Sequence, residues 1–509
     1  MAVDVRRWLH RASVPLVMVV ATAAGVWASR QLSPSVSELR ILADADSLHG
    51  IVRAIASVGP SELGGNHRAA YDELRTLTPT HALLRAWSTL SLWRWPLMDR
   101  LSAARMVTLL LGTVATGALY SVVRRAARAP AAWLSIALLW SIPAWSHGVG
   151  TSDDGVLVSA AWLSVFALYL GSSEHTLRRH RLLGGIATAV VFAIFLSLTL
   201  RTCWVLPLIV AHSLLQRPGE VLASLRSAQL RAPALLLYVL GVSPVVFVAL
   251  SPQTWSGGAI HHARAFLAKL GPEIEASRYH GSLITELPVP RLALGERWLI
   301  ELPPVVVVLS VVGAGFLALG AFRGDRSARS LLAFCFVGVS FLFVWSAISP
   351  EVFTVYPGSA LTAFPFIAAA AGVGAWSLGR TRRQRQAVVV LALALCVSSL
   401  VTVQNASGYG SWIAGGTDAK HERFSVSDSS ELAGAFRELS SGDAVVFAPD
   451  VPASYWDWMA RSGRFSTVVS GTHRQATHSL LRGDVNGASY RIRRGRHTLW
   501  SVVPTGADR

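Results

Sequence analysis

Residues 178–217 read RRHRLLGGIATAVVFAIFLSLTLRTCWVLPLIVAHSLLQR, and this stretch decides the fold. Arginines close it at both ends, at Arg178, Arg179, Arg181 and Arg217, while Arg201 is the one Lys, Arg, Asp or Glu between them. Lys and Arg of short loops are held on the cytoplasmic side of a membrane, so both basic borders belong to one face. The chain between them must then cross an even number of times. The run 182–200 has the roughly 20 residues that a crossing needs, and 202–215 is shorter. Two crossings place Arg201 at the outer tip of a tight hairpin.

The same rule, carried outward, threads the whole chain. About eleven apolar runs recur, at 12–28, 101–123, 130–147, 155–171, 182–200, 202–215, 232–251, 302–322, 330–348, 360–378 and 386–404. Under one threading Arg6-Arg7, Arg124-Arg125, Arg178-Arg179, Arg226, Arg323 to Arg329 and Arg380 to Arg385 all share the inner face. The first run follows Arg6, Arg7 and Arg11 and ends in Trp-Ala-Ser-Arg, without a small-residue cleavage site, so it is expected to be a retained span. An odd number of spans sends the C-terminus outside. The expected fold class is a polytopic α-helical membrane protein with about eleven transmembrane helices, N-terminus in and C-terminus out. A small extracytoplasmic α/β domain completes it.

Composition agrees with the membrane class. The chain is 52% hydrophobic and 15% charged, with 18 Trp, where a soluble protein carries about 25% charged residues. The net charge of +17 reads as orientation charge and contact with lipid headgroups. No basic face interleaved with aromatics appears in a polar segment, which speaks against a nucleic-acid partner. Cys203, Cys335 and Cys396 lie in or beside apolar runs and read as small core residues. Lys occurs at Lys269 and Lys420 alone, a bias toward Arg that fits a GC-rich bacterial genome.

Residues 1–404 form the expected transmembrane domain, with outer loops at 31–100 and 252–301, and 405–509 the small extracytoplasmic domain. In the latter, Ser429 to Leu439 and Tyr455 to Arg461 read as short helices and Ala444 to Ala448 as a strand. Phe465 to Val469 and Tyr490 to Val503 alternate as further strands. In the first outer loop, Ala43-Asp44-Ala45-Asp46-Ser47-Leu48-His49 precedes Leu48, Ile51, Val52 and Ile55 at helical spacing, the pattern of a helix lying in the interface plane. The loop 252–301 mixes Trp255, His261, His262 and several charges, and a loop of that length suits a lid or binding segment.

This order of features resembles the GT-C superfamily of polyprenol-dependent membrane glycosyltransferases. Within it, the chain looks most like the bacterial branch near the protein O-mannosyltransferases and the lipid A aminoarabinose transferases. Asp44-Ala-Asp46 sits where that family keeps its acidic pair. Thr78-Pro79-Thr80-His81 resembles the family's His-Pro-Pro-Leu segment, although Pro79 stands alone here. Arg100 to Arg105 followed by a span ending at Arg124-Arg125 is similar to the second span. Ser152-Asp153-Asp154 resembles the second outer loop, Gly184-Gly185 to Arg201 the span with a basic outer end, and Glu431 to Tyr455 the small outer domain. Near Tyr356, where relatives place a basic residue, this chain has Glu351.

The resemblance implies an inverting transfer of a sugar from a polyprenyl-phosphate donor to a glycan, lipid or protein acceptor outside the cytoplasmic membrane. It assigns Asp46, then Asp44, as the base, since a carboxylate at the mouth of a low-dielectric cavity gains basicity. Capping of the following helix is the alternative for this pair. Arg201 would grip the donor phosphate through its fork of donors, or else serve as a snorkelling anchor. Asp153, Asp154, His81, His262 and Tyr356 are the candidates for acceptor or substrate contact. The alternative for Asp153 and Asp154 is a cap on the next helix, and for His261/His262 a solvated loop pair; both alternatives are favoured over the contact roles. No cofactor is assigned; Asp44, Asp46 and Asp154 could hold one divalent ion through oxygens. Two other classes stay open, a multi-span transporter or flippase and a non-catalytic partner in cell-envelope glycan assembly. Transporters favour paired repeats and broken helices at the midplane, and no two halves of this chain match.

Overall fold

The structure, a computed structural model, describes residues 2–31, 45, 48–49, 87–92, 100–151, 153–173, 178–216, 234–250, 277–279, 282–284, 293–348, 358–379, 381–401, 446–447, 478–482, 486, 490–494 and 497–504. Asp44, Asp46, His81, His262 and Tyr356 lie outside these residues, as do the expected strand 465–469 and the helices 429–439 and 455–461.

Every one of the eleven apolar runs carries helix. In chain order these are α1 (Ala2–Gln31), α2 (Arg100–Ala126), α3 (Ala129–Trp140), α4 (Pro143–Gly150), α5 (Asp154–Ser173), α6 (Arg178–Leu198), α7 (Val205–Gln216) and α8 (Ala234–Leu250). After a short amphipathic α9 (Ala293–Glu301) come α10 (Pro304–Phe322), α11 (Arg326–Ile348), α12 (Gly358–Leu378) and α13 (Arg382–Val401). Seven helices among the described residues are long and apolar enough to cross a membrane: α1, α2, α5, α10, α11, α12 and α13. Ala129–Trp140, Leu182–Leu198 and Leu237–Leu250 are apolar but shorter.

The run 130–147 departs from a single helix. Ile142 is extended, at φ −81° and ψ 112°, and Pro143 opens α4 at the first helical position, where its missing N–H costs nothing. The freed carbonyls are satisfied locally: the Ser141 hydroxyl donates to the Leu138 carbonyl at 2.7 Å and the Ser146 hydroxyl to that of Trp140 at 2.9 Å. A periodic apolar pattern does not register the break, because α3 and α4 are both buried on most sides.

Packing orders the two ends of the bundle. On α1 and α2, Ser13 meets Arg124, Met18 faces Gly117, Thr22 bonds Thr113 at 3.1 Å, and the buried Arg105 donates to the Ser29 carbonyl. Positions that climb on one helix fall on the other, so the two are antiparallel. One end of the bundle then gathers Arg124, Arg125, Arg128 and the turns 323–326 and 379–385, where Arg125 abuts Gly171 and Ala328 abuts Gly320. The other end gathers Ser29, Arg105, the junction 150–154, Arg201 and α9. The core between them centres on α5 and α12, whose Trp162, Phe166, Phe364 and Phe366 are fully buried. α10 reaches α12 through glycines: a Cβ on Gly313 would fall 1.8 Å from the Ala370 carbonyl oxygen, and one on Gly374 2.1 Å from that of Leu309. Such close backbone approach at small residues is the usual adhesive of helices in lipid.

Outside the bundle, Ala45 and Leu48 are helical and pack with Leu90 as a small buried cluster of their own. The loop 252–301 holds a two-stranded hairpin, β1 (Ser277–Tyr279) with β2 (Ser282–Ile284). Near the C-terminus four strands, β3 (Val446–Phe447), β4 (His478–Arg482), β5 (Tyr490–Arg494) and β6 (His497–Pro504), form a sheet of order β3-β4-β6-β5. Within the stretch 490–503, β5 pairs antiparallel with β6, with a register shift between Ile492 and Arg493. The strand β4 had no signal in the apolar alternation.

Candidate functional site

The ionisable groups at the end of the bundle opposite the arginine turns start from the α4–α5 junction. α4 stops at Gly150, and Thr151 folds back, its hydroxyl donating to the His147 carbonyl at 2.9 Å and lying 3.4 Å from the His147 Nδ1. The Asp153 amide then donates to the Gly148 carbonyl at 3.1 Å. Asp153 Oδ1 accepts the Gly155 amide at 2.7 Å, so Asp153 is the N-cap of α5. Asp154 follows in the first turn, where the helix dipole favours negative charge. The capping role that the sequence left open for this pair is thus filled by Asp153, through one of its two oxygens.

α9 faces this junction. It stops where Pro303 and Pro304 begin α10, with the Leu302 amide returning to the Trp298 carbonyl at 2.9 Å. One turn inside its end, Arg297 Nε donates to Glu301 Oε1 at 3.0 Å; Glu301 is buried and Arg297 half-buried. Trp298 leans on Phe343 of α11, with ring centroids 6.5 Å apart, which fixes α9 against the bundle. Leu361 at the start of α12 fills the space beside Gly148 and closes the same corner.

Asp153 feels all of these groups. Its carboxyl is pushed up from 3.8 to about 6, chiefly because burial strips water from the charged form. The Gly155 amide opposes the rise, Asp154 adds to it, Arg297 opposes it and Glu301 adds to it. A carboxylate in such a field can accept a proton near neutrality. It can also hold a hydroxylated ligand against a neighbouring guanidinium.

Arg201 is placed separately at the same end. Residues Leu200–Trp204 form a 3-10 turn between α6 and α7, which makes the hairpin tip that the parity of basic borders requires. Trp162 Nε1 donates to the Arg201 carbonyl at 3.1 Å. Trp162 and Trp204 both contact Phe341, at centroid distances of 6.2 and 5.9 Å, so an aromatic wall adjoins the turn. The structure therefore groups Asp153, Asp154, Arg297 and Glu301, and joins Arg201 to that group through α5.

Arg297 and Glu301 escaped the sequence reading, and Arg105 was read as part of a motif without a role. For the first two a signal existed: opposite charges four residues apart immediately before an apolar run. The role of Arg105 had no signal, since its partner is a main-chain carbonyl on another helix. Among the described residues no three His, Cys, Asp or Glu side chains are grouped to hold a metal ion.

Long apolar helices packed in alternating directions define a polytopic helical membrane protein. No family model and no curated protein matches the chain. Among solved structures it is similar to ArnT from Cupriavidus metallidurans bound to undecaprenyl phosphate, at 13% identity and a TM-score of 0.46, over 97% of this chain and 98% of that one. It is similar as well to the Archaeoglobus fulgidus oligosaccharyltransferase in the apo form, at 11% identity and a TM-score of 0.47, over 92% of this chain and 66% of that one. At these identities neither likeness carries a residue's role across.

Proposed function

We propose that this chain is an inverting glycosyltransferase that moves a sugar from a polyprenyl-phosphate donor to an acceptor hydroxyl on the extracytoplasmic side of a bacterial cytoplasmic membrane. The eleven-crossing threading, with the arginine turns inside, belongs to the same proposal. The observation that carries it is the meeting of Asp153, Asp154, Arg297 and Glu301 at one corner of the bundle, with Arg201 at the same end. A neutral passage for solutes needs no such field. A reaction that separates charge at the membrane surface does.

In the proposed reaction the acceptor oxygen bonds to the anomeric carbon as the bond from that carbon to the phosphate oxygen breaks. Asp46 takes the acceptor proton, with Asp44 as second candidate, and polyprenyl phosphate leaves with the electron pair. Arg201 holds the departing phosphate by paired N–H donors. Asp153 and Asp154 orient the acceptor, with Arg297 compensating their charge. A single displacement of this kind inverts the anomeric centre.

The test is sugar transfer in membranes containing the overproduced chain, supplied with a panel of short polyprenyl-phosphate sugars and read by mass spectrometry. Loss of at least a hundredfold in Asp46→Asn at equal protein level is expected, the range of a missing general base. Full activity in Asp46→Asn and Arg201→Ala would overturn the assignment of both residues. Silence of the wild type with every donor would favour a transporter or a non-catalytic partner.

A further inference from the structure

The end of the bundle away from the candidate site carries a second feature, at the turn from α12 into α13. Thr381 and Gln384 close the turn reciprocally: the Thr381 amide donates to Gln384 Oε1 at 3.0 Å and the Gln384 amide to Thr381 Oγ1 at 3.3 Å. Arg385 lies over the Trp376 ring, 4.6 Å from its centroid, and its Nε donates to the Gly379 carbonyl at 2.8 Å. One guanidinium is thereby held in place before any ligand arrives. Beside it opens a groove of about 290 Å³ lined by Arg382, Arg385, Gln386, Val389 and Val390.

The groove has two chemistries in a fixed order along one helix. Arg382, Arg385 and Gln386 line it at one end, and Arg383 adds a third cation to the same turn. One turn further the wall becomes apolar. The positions 382, 386, 389, 393 and 397 recur every three or four residues and so share a face of α13. On that face Leu393 is 53% and Val397 57% exposed, which continues the apolar wall along the helix. A cationic head site leading into an apolar track of this length matches one class of molecule, an amphiphile with an anionic head and acyl tails. Isolated arginines on a surface would attract phosphate equally from any source; the apolar continuation is what selects a lipid.

We infer that the α12–α13 turn is a binding site for an anionic glycerophospholipid, whose phosphodiester lies between Arg382 and Arg385 and whose acyl chain lies along Val389, Leu393 and Val397. Basic pockets at helix ends on the cytoplasmic side are suited to such headgroups, with each arginine near the surface strengthening binding about fivefold. Trp376 supports the assignment twice, because it orders Arg385 and because indole rings favour the headgroup level.

The experiment is native mass spectrometry of the full chain in detergent, titrated with phosphatidylglycerol and, separately, with phosphatidylethanolamine. Retention of phosphatidylglycerol over the zwitterionic lipid is expected. It should fall about fivefold in Arg382→Gln and about twenty-five-fold in the double variant Arg382→Gln/Arg385→Gln. Val390→Asp, which spoils the apolar wall and keeps every arginine, should weaken it as well. The comparison variant Arg323→Gln/Arg326→Gln removes two charges from the neighbouring turn at the same end and should retain the wild-type preference. Equal losses in the comparison variant would overturn the site in favour of diffuse surface charge. Preferential retention of a polyprenyl phosphate added in competition would overturn the choice of occupant. A monodisperse gel-filtration peak for each variant separates loss of binding from loss of fold.

Discussion

Asp153 performs two tasks that pull its proton in opposite directions. As a cap it should be ionised, since a charged acceptor bonds the Gly155 amide more strongly; as a desolvated group it prefers to be neutral, and burial prevails. The folded chain therefore holds this proton more tightly than the unfolded one. Its contribution to stability is fully present below pH 4 and is lost as pH rises through about 6. Asp153→Asn keeps a good capping residue and cannot ionise. It is expected to raise stability above pH 6, by on the order of 1–3 kcal/mol, and to remove the slope between pH 4 and 6. Thermal unfolding in detergent across that range measures both; an unchanged slope would mean that Asp153 is solvated. The same carboxyl should set the acid limb of any transfer activity that needs it charged. Arg297→Gln would then move that limb to higher pH and Glu301→Gln to lower pH, because their charges act on it with opposite sign.

At the scale of elements, α9 is held by an asymmetric ion pair. Glu301 is buried, so Arg297→Ala strands an uncompensated charge and should cost about 3–5 kcal/mol. Glu301→Gln leaves Arg297, which still reaches the surface, and should cost about 1 kcal/mol or less. Unfolding midpoints of the two variants in parallel test this, and equal losses would contradict it. The glycine seam between α10 and α12 gives a second contrast. Gly313→Ala and Gly374→Ala drive a methyl group into a facing carbonyl and should destabilise by about 1–3 kcal/mol. Gly315→Ala, where a Cβ meets nothing within 4 Å, should stabilise by about 0.5–1 kcal/mol. Both would be read from the same unfolding transition. These elements also show what was legible in advance. Eleven apolar runs marked the helices of the bundle because burial in lipid or core is written locally, as hydrophobic length. The Arg201 turn was legible because parity of basic borders is a counting rule. The α3–α4 break and the Gly313–Gly374 approach were not, since both depend on what a helix meets and not on its own period. The Arg297–Glu301 pair stood in the sequence as an i,i+4 motif, but its proximity to Asp153 spans more than 140 residues and has no periodic trace.

At the scale of the whole molecule, +17 charges are unevenly shared. Arginines of the turns 124–128, 323–329 and 382–385 collect at one end, and the carboxylates of the α4–α5 junction and α9 at the other. The positive-inside rule predicts that the arginine turns face the cytoplasm, as the proposed function requires. Single cysteines test it, since the native Cys203, Cys335 and Cys396 are half-buried or buried. Ser327→Cys should react with an impermeant maleimide in inverted vesicles alone, and Leu299→Cys in intact cells. The reverse pattern would turn the molecule over and place the carboxylate corner inside.

One bond has a practical meaning for the chemistry of position 201. Trp162 holds that residue by its carbonyl, a group every amino acid carries, so this clasp on the hairpin is blind to the side chain. A series of Lys, Gln and Ala at 201 keeps the clasp and varies only the head it presents. Activity along that series would become a ruler of guanidinium against ammonium against amide, graduated by the reaction and not by the stability of the protein.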